Sequence, residues 1–183
     1  MNHPEKILRT LDSHLSRSTR LILYGRAALA LGFGNSPPAF QATLDVDAIL
    51  PEVEMSMIDN DDQFWDAIGK TNDQLESTGL YITHLFVDTQ IVISQNWLAN
   101  IIPIKLSGLN HLKLFRPSTR DLILTKMMRI DPQDRTDIDF LISRSELLLA
   151  EMETTLATAR IPYIPEIQEA FEQNVLWLLS KFR

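Results

Sequence analysis

No cysteine occurs in the 183 residues. Disulfide cross-links and thiolate zinc sites are thereby excluded, and a cytoplasmic setting is expected. Long apolar runs are also missing. The longest, such as Ile101 to Ile104, fall far short of the ~20 residues that span a bilayer. The amino-terminal Met-Asn-His-Pro-Glu-Lys lacks a hydrophobic signal core, so a soluble, non-secreted protein with no membrane partner is expected. There is no excess of positive charge: the net charge is −7, whereas broad non-specific nucleic-acid binding needs a basic surface. That disfavours an RNA substrate without ruling out a local basic patch. Repeats and low-complexity tracts are absent. The four histidines (His3, His14, His84, His111) are scattered without metal-ligand spacing, and no Ser-His-Asp arrangement is suggested. His84, within an extended stretch, reads as a packed core residue.

What is present suits a globular fold. The apolar fraction is 45% and the charged fraction 22%, both ordinary, and the length fits one domain with a helical appendage. Ile7, Leu8, Leu11 and Leu15 recur at helical spacing after Pro4, predicting a helix over residues 4–16. Residues 21–24 form a short apolar strand that Gly25 breaks, and 27–31 are helix-forming. Residues 43–50 read as a strand that Pro51 ends. A helix with an acidic first turn is expected over 59–77. Strands at 80–86 and 89–93 are expected to form a hairpin around Val87-Asp88, with further extended stretches at 101–106 and 111–115. Ser118-Thr119-Arg120-Asp121 fits a capping box opening a helix to about Ile130. Helices at 133–144, 145–160 and 166–182 complete the chain, with Ile161-Pro162-Tyr163-Ile164-Pro165 between the last two.

The stretch carrying the chemistry is Leu44-Asp45-Val46-Asp47. Side chains two apart on a strand share a face, so Asp45 and Asp47 lie together while Leu44, Val46 and Ala48 face the other way. Adjacent carboxylates repel, and a cation between them relieves the repulsion. The alternative is a solvated strand face with two surface acids.

Strand, Gly-x turn, helix and a strand carrying Thr43-x-Asp45-x-Asp47 resemble the core of the nucleotidyltransferase superfamily, most closely its small bacterial AbiEii-like and DUF6036 branch. A second block agrees: Asp121-Leu122-Ile123-Leu124-Thr125-Lys126-Met127-Met128-Arg129, then Asp134-Arg135-Thr136-Asp137-Ile138, is similar to the D-L-x-x-x-K-x-x-R and D-x-x-D-I pattern of the same families. One departure stands out. The superfamily usually has Gly-Gly or Gly-Ser at the turn, where this chain has Gly25-Arg26; Arg26 either binds a phosphate oxygen or fills the pocket.

The resemblance implies an α/β (α+β) fold, with a nucleotidyltransferase-like mixed sheet and flanking helices over residues 1–116 and a helical C-terminal region, 117–183, packed on it. It implies Asp45 and Asp47 as catalytic and metal-binding residues for Mg²⁺ or Mn²⁺. Gly25, Arg26, Lys126 and Arg129 would hold the phosphates of a nucleoside triphosphate. A third carboxylate normally joins the pair from a later strand; Asp88 is the candidate by order, although its turn setting also fits local hydrogen bonding. Asp121 reads as a cap and Asp139 as a surface acid, and Asp134 and Asp137 as ion-pair partners of Lys126 or Arg129. The implied activity is transfer of a nucleoside monophosphate to a hydroxyl of an unknown acceptor (protein, RNA end or small molecule), with a toxin–antitoxin role and a homodimer left open. The rival reading is a nucleotidyltransferase-fold interaction module without chemistry.

Overall fold

The computed structural model describes residues 1–182; Arg183, the last residue of the expected C-terminal region, lies outside them. The chain forms two compact units, Met1–Val87 with Ile101–Arg116, and Asp88–Asn100 with Pro117–Arg183.

In the first unit, the Asn2 side chain accepts the Glu5 N–H and so starts α1 (His3–His14). Then follow β1 (Thr19–Tyr24), α2 (Gly25–Gly32), α3 (Pro38–Gln41), β2 (Asp45–Leu50), α4 (Met55–Asp59), α5 (Asp62–Leu75) and β3 (Tyr81–Val87). The chain next forms β4 (Ile93–Ser94) in the second unit, then returns for β5 (Ile102–Ile104) and β6 (Leu112–Arg116). The five-stranded sheet has the order β3-β2-β1-β6-β5. β1 runs antiparallel to β2 and parallel to β6, and β2 runs parallel to β3. This mixed sheet with flanking helices is the α/β fold expected from the sequence. Leu21, Ile22 and Leu23 are all buried, as suits a central strand covered on both faces. Ile7, Leu8 and Leu11 of α1 and Phe64 and Ala67 of α5 join them in the core; each large aliphatic side chain removed from water contributes about 1.5–3 kcal/mol.

The second unit holds β4 with α6 (Thr119–Thr125), α7 (Pro132–Ser143), α8 (Leu149–Ala157), β7 (Ala159–Arg160) and α9 (Pro165–Leu179). Ser118 and Asp121 cap α6 as expected: the Asp121 N–H donates to Ser118 Oγ, which donates to Asp121 Oδ2. Two expectations fail here. The hairpin of 80–86 with 89–93 does not form; β3 pairs only with β2, residues 88–90 make a 3-10 turn, and β4 pairs with β7. The cause lies at Asp88, whose carboxylate is bound by Trp97 Nε1 and the Arg160 guanidinium within the second unit. Helix α6 also stops at Thr125 instead of about Ile130. The Lys126 and Met127 N–H groups bond three residues back, to Ile123 and Leu124, tightening the last turn. Asn174 then donates to the released Met127 and Arg129 carbonyls.

In the first unit, a single carboxylate joins α1 to the strand that starts at Leu112. Asp12 accepts the backbone N–H groups of Asn110, His111 and Leu112 at 2.9, 2.8 and 2.7 Å. Burial works to raise its pKa, but the three N–H bonds and the nearby His111 outweigh it and hold the carboxyl below the ordinary aspartate value. A depressed carboxylate pKa stabilises the fold above the ordinary value, and that stability is lost as pH falls through the folded-state value. Asp12→Ala should therefore cost about 2–4 kcal/mol at neutral pH. Urea titrations at several pH values should show the difference from wild type shrinking in acid.

Candidate functional site

The site grows from the junction of β1 and α2. Tyr24, the last residue of β1, pairs with Asp47 of β2, so the turn that follows falls beside that carboxylate. Gly25 has φ +63°, and a Cβ built on it would meet Asp47 Oδ2 at 3.1 Å. Only glycine takes this backbone without cost. The Tyr24 side chain at the N-cap makes no capping hydrogen bond to α2, so the helix starts from a glycine turn beside Asp47; helix N-termini are places where backbone N–H groups meet anions. Arg26 lies with its guanidinium carbon 5.3 Å from the centroid of the Phe40 ring on α3.

Asp45 and Asp47 are half-buried on one face of β2, while Val46 and Ala48 are buried on the other. The alternation read from the sequence is present. The Thr43 hydroxyl donates to Asp45 Oδ1 at 2.6 Å. On the other side of β2 the pairing is irregular. Val46 pairs with Ile82 but Ala48 with Leu85, so β3 carries one extra residue opposite Asp47. The bulge lets neighbours that would otherwise face opposite ways reach the same group. Thr83 Oγ1 donates to Asp47 Oδ1 at 3.1 Å, and His84 Nδ1 lies 3.3 Å from the same oxygen. The His84 side chain is 59% exposed and stacks on Phe86 at 5.2 Å with 10° between the rings. It is not the packed core residue expected from its strand setting. Thr43 stood in the sequence motif, but Thr83 and His84 were not legible as site residues, because a bulge leaves no mark on hydrophobic alternation.

Burial first, and then the charge of Asp45, push the Asp47 carboxyl above the ordinary aspartate value, against the lowering effects of Thr83 and His84. The shift is thus owed mainly to burial, with the neighbouring Asp45 charge adding to it. Magnesium takes one or two carboxylates and completes its shell with phosphate oxygens and water, so Asp45 and Asp47 are the side chains that would hold such an ion. Among the described residues no group of three His, Cys, Asp or Glu side chains gathers for a metal ion.

The other candidates belong to the second unit. Asp88 is buried and accepts from Trp97 Nε1 and from Arg160 Nη2, both at 2.8 Å. Lys126 is buried with its Nζ 2.9 Å from Asp134 Oδ1 and 2.7 Å from Asp137 Oδ2, and Arg129 Nε donates to Asp134 Oδ2 at 2.5 Å. Burial opposes the ionisation of Asp134, but Arg129 and Lys126 outweigh it and hold its pKa below the ordinary value. The second sequence block is thus joined by ion pairs between the end of α6 and α7. Asp139 is exposed and pairs with Lys181.

The fold and this strand–turn–helix site define a nucleotidyltransferase-type protein. A family model described as a nucleotidyltransferase of unknown function, DUF6036, matches residues 5–166, and the chain belongs to that family. No curated protein and no solved structure matches the chain. Among the described residues no helix is long and apolar enough to cross a membrane.

Removing the Lys126 charge takes away the ammonium that lies between the buried Asp134 and Asp137 carboxylates, a loss of about 3–5 kcal/mol. Lys126→Met should show it in thermal unfolding, and Lys126→Met with Asp134→Asn and Asp137→Asn should recover most of it. For Asp47 the sign is opposite to that of Asp12. A raised carboxylate pKa brings no penalty in acid and an increasing one as pH rises from the ordinary value through the folded-state value. Asp47→Asn should therefore match wild-type stability in acid and exceed it at neutral pH, read from the same unfolding curves.

Proposed function

We propose that the protein transfers a nucleoside monophosphate from a nucleoside triphosphate to a hydroxyl acceptor. The observation that carries this reading is the paired carboxylate face of Asp45 and Asp47, set against the Gly25 turn that opens α2. A magnesium or manganese ion held by Asp45 and Asp47 supplies charge neutralisation for the triphosphate. The backbone N–H groups after Gly25 bind phosphate oxygens, and Gly25 admits them because no side chain stands in the way. Arg26, at the first turn of α2, adds a cation for the same phosphates. Thr43 and Thr83 hold the two carboxylates in orientation. The acceptor hydroxyl oxygen forms a bond to the α-phosphorus as the bond to the pyrophosphate oxygen breaks; pyrophosphate leaves and the hydroxyl proton passes to water.

In this reading Lys126 and Arg129 act on structure first, since Asp134 and Asp137 already engage them. Contact with phosphate would require exchange of those ion pairs. The engagement of Asp88 by Arg160 and Trp97 favours a second reading, a nucleotide-binding module without turnover, because it leaves the metal pair without a third carboxylate. The resemblance to AbiEii-like proteins extends the first reading to a toxin, whose expression would arrest growth in an Asp47-dependent way.

Each of the four nucleoside triphosphates, with magnesium or manganese, is added to the wild type and to Asp45→Asn/Asp47→Asn. At a hundredfold excess over Kd, wild type should gain about 2.7 kcal/mol, seen as a higher melting temperature that the double variant loses. Labelled triphosphate incubated with a lysate then separates the two readings. Label transfer supports the enzyme, and binding without transfer supports the module. The absence of any melting shift in wild type would remove both.

A further inference from the structure

The first unit has a cavity that the nucleotide site does not use. It lies where β1 begins and β2 ends, with Thr19–Ile22 and Ile49–Pro51 in its wall. Since β1 and β2 are antiparallel, this is the end of the strand pair opposite Gly25 and Asp45, about 15 Å away along the strands. Its volume is about 300 Å³, at the lower end of the range for small-molecule sites.

Two kinds of chemistry meet in it. The floor is apolar: Leu21, Ile22, Ile49, Leu50 and Phe64 are buried core side chains that also line the cavity. Met57 and Ile58 of α4 complete the wall. The remaining lining includes two pairs of opposite charge, Arg17 with Asp61 and Arg20 with Glu54. All four side chains keep some exposure to water, from 18% at Asp61 to 59% at Arg17. Ion pairs that water reaches contribute little to stability, so exchanging their partners costs little.

We infer that this cavity binds a free α-amino acid with an apolar side chain, its hydrocarbon on the apolar floor and its carboxylate and ammonium between the arginine and acid of the two rim pairs. The inference rests on charge balance. A zwitterion brings one anion and one cation, so each rim charge that gives up its present partner gains another and the cluster stays neutral. A simple apolar acid would leave a rim carboxylate unpaired, and a simple apolar amine would leave an arginine unpaired. A cavity of about 300 Å³ is small for a peptide of several residues and of a size for one free amino acid. The methionine at the rim suits this role, since its unbranched thioether adapts to side chains of different shape.

The test uses the full chain without nucleotide. Methyl-labelled protein is titrated with L-leucine, L-methionine and L-phenylalanine, and with 4-methylpentanoate, isopentylamine and N-acetyl-leucine. Saturable shifts at Ile22, Ile49, Met57 and Ile58 are expected with at least one of the three amino acids, and binding at least about tenfold weaker with every analogue that lacks one charge. Arg20→Gln and Glu54→Gln should each weaken the amino acid by about tenfold to a hundredfold, with methyl signals remote from the cavity unmoved. Ile58→Trp, which fills the cavity from its rim, should abolish binding if either charge variant proves unstable. Failure of all three amino acids to shift these methyls, equal binding of the singly charged analogues, or undiminished binding by the variants would overturn the inference.

Discussion

The approach of the Asp47 carboxylate to the backbone of Gly25 is the constraint on which the first unit turns. Antiparallel pairing of β1 with β2 puts Tyr24 opposite Asp47, so the chain must leave β1 and enter α2 beside a charged group. With φ +63° and 3.1 Å between a hypothetical Cβ and Asp47 Oδ2, a side chain there would be both strained and crowded. The same tightness brings the start of α2 close to the strand face that carries the acids. A backbone requirement and an electrostatic one therefore meet at one residue. The fold keeps two half-buried carboxylates on one strand face, an arrangement that is unfavourable without a cation and that the Thr43 and Thr83 hydroxyls only partly offset.

Much of this was legible in the sequence because it follows from short-range rules. The Gly25 break, the alternation through Asp45–Ala48 and the Ser118–Asp121 cap each depend on a few neighbouring residues, and each appears in the structure. Long-range pairings were not legible. Nothing local to Asp88 shows that Trp97 and Arg160 will bind its carboxylate, so residues 80–93 read as a hairpin when the chain in fact turns away after β3. Likewise the apolar period continues past Thr125, and the early end of α6 depends on Asn174, 47 residues beyond Met127. The bulge at Thr83–His84 is the most consequential omission. It decides what touches Asp47, yet alternation cannot reveal one extra residue.

The two sequence blocks that mark the family differ in physical character. The block around Asp45 and Asp47 leaves its charges in partial contact with solvent, where a ligand can meet them. The block around Lys126 buries its charges against one another. Buried pairs of this kind add little net stability over apolar replacements but are costly to break singly. They fix which face of α7 meets the end of α6, and so act on the geometry of the helical unit.

The path of the chain between the units has its own consequence. The backbone passes from one unit to the other at 87/88, 100/101 and 116/117, so the boundary is one of topology and not of sequence. A nick at any one junction cuts the polypeptide in two but leaves the two units covalently joined across the other two junctions. A fragment ending at Arg116 would still carry Ile91, Val92, Ile93 and Trp97, all buried in the intact protein, without the helices that belong to the same unit. Neither unit can be obtained by trimming the other from one end, and a gene truncated at that point would encode a sticky, partly finished protein instead of a smaller functional one.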